Sequence, residues 1–180
     1  MFGTRKKRDG DGDDVVTILG RLQHACQNTT PEQIKAMDKE EFVRSFTGAM
    51  AMILIIQRSM LNAKPEVWTD ANEHILNLAI ASVAGQVAWL VRLRTSGLSQ
   101  QQRIANLTDD VETLVVVISK TIDGCPEGNE ELRRRFREVV REPTAPHLAA
   151  CATEEERRQV QAKIGERTPE GAPLRLIAKS

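Results

Sequence analysis

Three consecutive segments of this chain space their apolar side chains three or four positions apart, and residues at that spacing share a face only on an α-helix. The first opens at Asp38, which with Glu41 forms a helix-start signature, and carries Phe42, Phe46, Ala49, Met50, Ile53, Ile56 and Met60 as far as Pro65. A helix over 38–62 follows. The second opens with the same signature at Asp70 and Glu73, and runs through Ile75, Leu76, Leu78, Ala79, Val83, Val87, Leu90 and Val91. Arg92 and Arg94 complement the helix dipole at its end and Gly97 stops it, which predicts a helix over 70–95. The third is capped by Ser99 and Gln102, with Ile104, Leu107, Val111, Leu114, Ile118 and Thr121 as its seam and Gly124 and Pro126 as its stop, a helix over 99–123. Thr108, Asp109 and Asp110 fall between seam positions, so they are expected on its solvent face.

Each segment would be roughly 37 Å long, and matched lengths joined by short turns favour antiparallel neighbours. A shorter helix over 14–27, with Val15, Ile18, Leu19, Leu22 and Cys26 on one face, supplies a fourth wall, and Thr30 to Gln33 marks a further helical turn. No stretch alternates with period two, so the expected fold is all-α: an antiparallel bundle of about four main helices. Ile53, Val83, Val87, Leu114 and Ile118 are expected in one core. Beyond Gly124 the chain is much more densely charged and is expected to bury little. It reads as a helix over 129–141, a break at Pro143 and Pro146, and a helix from a Thr153 cap to about 164. The expected organisation is a flexible charged arm (1–13), the bundle core (14–123), a polar helical extension packed on it (124–164) and a flexible tail (165–180).

The core so described is aliphatic, because the chain has no Tyr, two Trp and four Phe among 180 residues. That is poor material for stacking nucleic-acid bases. Lys and Arg number 25 and so do Asp and Glu, so no net charge draws the chain to a polyanion. Three widely spaced cysteines, Cys26, Cys125 and Cys151, do not make a disulfide framework, and with no export signal at the basic N-terminus they point to the cytoplasm.

Reactive constellations are few. Asp9, Asp11 and Asp13 alternate as in a calcium loop, but Asp14 stands where the loop turns on Gly and Gly20 where it needs a bidentate Glu. His24 with Cys26, and His147 with Cys151, match no zinc spacing, and the first pair points about 200° apart on a helix. Glu40, Glu41 and Glu73 could pair as carboxylates only if two helices met, and each already suits a first helical turn. No phosphate loop, nucleophile elbow or two-histidine zinc helix is present, so neither enzyme activity nor a cofactor or metal is expected.

Two surfaces remain. On the 129–141 helix, Arg133, Arg134, Arg137 and Arg141 oppose the apolar Leu132, Phe136, Val139 and Val140, a layout that offers guanidinium forks to phosphates or to an acidic partner. The competing reading is a solvated face with Arg134 and Glu138 spaced for an ion pair. The 70–95 helix is apolar enough to raise a membrane span, but Asn77 and Gln86 disfavour insertion, and a central bundle helix is equally apolar. Its small residues, Ala81 to Gly85 and Ala84 to Ala88, allow a close helix neighbour from within the bundle or from a second copy. The function expected is a non-enzymatic interaction subunit of a larger assembly that binds itself or a protein partner. The alternative is a helical subunit of a nucleoprotein complex whose arginines contact the nucleic-acid backbone.

Overall fold

A computed structural model describes residues 15–63, 70–124, 129–142 and 145–167. The acidic run of the arm, Cys125, Pro143 and the tail beyond Arg167 lie outside them. The described residues are helical and contain no strand: α1 (Val15–Asn28), α2 (Pro31–Ala36), α3 (Lys39–Phe42), a π-helical segment (Val43–Gly48), α4 (Ala49–Ala63), α5 (Asp70–Arg94), α6 (Gln100–Asp123), α7 (Asn129–Arg141), α8 (Pro146–Ala150) and α9 (Glu154–Arg167).

The caps follow the sequence closely. Thr30 and Gln33 form a reciprocal capping box on α2, as do Ser99 and Gln102 on α6, and Asp38 accepts the Glu41 amide at 2.9 Å. Gly97 reverses the chain between α5 and α6 with φ +83, a region open to glycine at no steric cost. The expected 38–62 helix is interrupted by the π segment, and Gly48 explains where. A Cβ at that position would lie 2.9 Å from the Val43 carbonyl oxygen, so the missing side chain lets the wider turn close.

Ile53, Val83, Val87, Leu114 and Ile118 do share one core. That core differs from expectation in three ways. The region beyond Gly124 contributes to it substantially, through Phe136, Val139, Val140, Leu148, Cys151, Val160 and Ile164. Few apolar residues suffice there because nearly every one faces inward. Thr108 and Asp110 are 2% and 3% exposed, because α6 packs on α3 and the π segment as well as on α7 and α9, which widens its buried face beyond the seam. Lastly, the enclosed helix is α4, with no exposed position from 49 to 58, whereas α5 keeps one face in solvent. The helix α5 packs chiefly on α1, α2 and α8 instead of lengthwise along α6.

Polar ties fix this arrangement. Arg94 donates to the Met37 carbonyl at 2.8 Å and lies 4.8 Å over the Phe42 ring, joining α5 to the α2–α3 link. Gln57 on the enclosed α4 donates to Asn77 on α5. Arg103 on α6 clasps Glu156 on α9, whose side chain is 0% exposed. Thr153 caps the Glu156 amide as expected, but the Glu156 carboxylate turns to Arg103 and to the Ala152 amide at 2.8 Å. Burial raises the affinity of that carboxylate for a proton, and these hydrogen bonds outweigh burial and hold its pKa low.

Candidate interaction surface

The four arginines singled out in the sequence lie on α7, with its apolar residues turned into the core. Arg133 bridges α7 to α6, with Asp123 at 2.5 Å and Glu130 at 2.8 Å. Arg134 sits between Glu131 at 2.7 Å and Glu138 at 2.6 Å, so the Arg134–Glu138 spacing closes as an ion pair. Arg135 also donates to Glu131, and hydrogen bonds from Arg134 and Arg135 lower the pKa of Glu131 to about 2. Arg137 and Arg141 are half-buried and engaged as well. Glu138 of the same helix and Glu142 just past its end hold Arg58 of α4, the former at 3.3 Å. The stripe is therefore one side of an acid–base lattice, and its outward field is correspondingly weak.

A second surface lies on α5. Ile75, Leu78 and Trp89 are 65%, 58% and 53% exposed, and with Ser82 and Gly85 between them they follow steps of three and four along one face. The stripe is about 21 Å long at the helical rise. Its middle is open, since a Cβ added at Gly85 would meet nothing within 4 Å. Beside it runs a groove of about 400 Å³ bounded by Cys26 and Gln27 of α1 and by Ser82, Gly85, Gln86 and Trp89. Two large apolar knobs thus lie on one side of Ser82, and a groove with a glycine floor and a tryptophan wall lies on the other. The stretch Glu73–Arg94 is long and apolar enough to cross a membrane, with mean hydropathy 1.5, and 39% of its most apolar window is buried. Sequence reasoning found the apolar character and the small residues of α5 but not its exposed face. A helix apolar all round carries no signal of which side its neighbours leave bare.

Of the pairs considered as metal ligands, His24 is exposed and hydrogen-bonded to Asn28 while Cys26 is buried, and the Cys151 thiol donates to the His147 carbonyl, not to its ring. No cluster of three His, Cys, Asp or Glu residues suited to a metal occurs among the described residues. Burial raises both thiols to about 11 and lowers His147 to about 4, the reverse of what a nucleophile and its base require at neutral pH. Glu40 pairs with Arg44. Comparisons with protein families, with curated proteins and with solved structures find no match to this chain.

Proposed function

We propose that this protein is a non-enzymatic interaction subunit, acting in the cytoplasm, whose α5 face docks an apolar helix from a second copy or from another member of an assembly. The observation that carries the reading is the stripe Ile75, Leu78, Ser82, Gly85 and Trp89, apolar or small throughout and solvent-facing. Large exposed apolar groups gathered on one face mark contact surfaces. The stripe is self-complementary in shape. In an antiparallel pair of α5 helices centred on Ser82, Ile75 meets the Trp89 of the other copy and Leu78 meets its Gly85 groove, the isologous pattern of a twofold interface. In this reading the helices form a bundle around the enclosed α4, and α8, packed on α5, helps hold that helix in place.

Light scattering on the purified chain, alone and with a Leu78→Lys variant, tests the proposal. Self-association that the variant abolishes supports it, with helical dichroism unchanged because Leu78 is exposed in the single chain. A chain that is monomeric at all concentrations and retains every partner after Leu78→Lys refutes it, as does recovery only with membranes. The nucleoprotein reading predicts binding to labelled nucleic acid that weakens steeply with salt and falls when Arg134 and Arg137 become Gln. It ranks second because Arg133 and Arg134 already hold carboxylates.

A further inference from the structure

A cleft of about 360 Å³ opens between the α5–α6 turn and the α8–α9 link, with Arg92, Ser96, Arg103, Cys151 and Ala152 in its wall. Its size lies at the lower end of ligand sites. The two guanidinium groups differ in their charge balance. Arg103 is neutralised by Glu156, with Nε 3.0 Å from Oε1 and Nη2 3.4 Å from Oε2, and its Nη1 donates to the Leu98 carbonyl at 3.1 Å. Among the described residues, Arg92 donates only to neutral oxygens, from Nε to the Ala150 carbonyl at 3.2 Å and from Nη2 to the Ala149 carbonyl. These bonds hold the fork still without cancelling its charge, and they leave three of its five N–H donors for another acceptor.

No acidic side chain is among the described residues of the wall. Cys151 is kept as a neutral thiol by burial and by the nearby Glu156 charge. The Glu156 carboxylate is occupied by Arg103 and the Ala152 amide, while Glu154 and Glu155 of the first turn of α9 are not part of the wall. Among the described residues the cleft therefore carries one uncompensated positive charge, on a chain whose total charge is zero. We infer that this cleft binds a small oxyanion, a phosphate or a carboxylate group, with Arg92 as its charge partner. A planar fork fixed at two positions suits either group, since both accept two parallel hydrogen bonds.

Calorimetric titration of the full chain with inorganic phosphate and with acetate, at constant ionic strength set by chloride, tests the inference and separates the two sources. Saturable binding of one or both is expected, weakened by about tenfold or more in Arg92→Gln. Arg134→Gln, which removes an equal charge on α7, should leave it intact. Because Arg92 also ties α8, Ser96→Glu serves as a second variant. It sets a carboxylate at the exposed rim with both Arg92 bonds in place, and it should abolish binding while leaving the melting curve in position. No saturation by about 10 mM of either anion, or wild-type affinity in Ser96→Glu, overturns the inference.

Discussion

Replacing Asp110 with Asn should stabilise this protein at neutral and alkaline pH, and the gain should vanish in acid. Asp110 lies on α6 with 3% of its surface exposed, and its Oδ2 is buried without a hydrogen-bond partner among the described residues. Burial pushes its pKa from 3.8 to about 6, against the pull of Arg94 and Lys39 and with a further push from Asp109. Lys39 is partly occupied, since it reaches Asp109 at 3.9 Å. Above pH 6 the carboxylate is ionised in both folded and unfolded chains, and the folded one bears the desolvation cost. Between about pH 6 and 3.8 the folded chain takes up a proton that the unfolded chain does not, so this residue's contribution improves as pH falls. At about 1.4 kcal/mol per tenfold change in proton affinity, the ionised group costs about 3 kcal/mol at pH 8. Asn keeps the shape and drops the charge but adds a buried N–H₂ group, so a net gain of about 1 to 3 kcal/mol is expected. Urea denaturation of both proteins at pH 8, 6 and 4.5 measures it, with the denaturant slope unchanged. A variant less stable than wild type at pH 8, or a gain equally large at pH 4.5, refutes the reasoning.

His147 works in the opposite sense. Burial lowers its pKa from 6.5 to about 4, so the unfolded chain takes up the proton first and stability falls as pH drops through that window. The two groups offset one another in wild type. In an Asp110→Asn background the His147 loss should stand alone, as acid destabilisation of up to about 3 kcal/mol beginning near pH 6.5; a profile as flat as wild type would disprove it. Leu114, at 4% exposure in the seam of α6, should cost about 2 to 5 kcal/mol when changed to Ala, measured by the same denaturation. A change within about 0.5 kcal/mol would place it at the surface.

Local physics made most of the helices legible before any packing was known. Thr30, Asp38 and Ser99 cap where they do because a side-chain oxygen satisfies an amide three residues on, and Gly97 ends α5 because its φ is open to glycine. The apolar periods of α1 and α7 placed their inner faces correctly, because the helical spacing that sets a period also sets a direction; that of α6 did so for Ile104, Leu107, Val111, Leu114 and Ile118, but Thr121, expected in the seam, is exposed and Ile122 is buried in its place. What tertiary structure alone decided is which neighbour covers each face. Asp110 was legible as a residue off the seam, but its burial comes from the elements packed against both sides of α6. The Arg134–Glu138 pair was legible because both partners share one helix, whereas Arg133 with Asp123 and Arg103 with Glu156 join different helices across turns whose geometry no local pattern encodes. The same limit hid the α5 stripe. Composition made α5 apolar on every side, and the packing of α1, α2 and α8 determined that Ile75, Leu78 and Trp89 stayed in solvent.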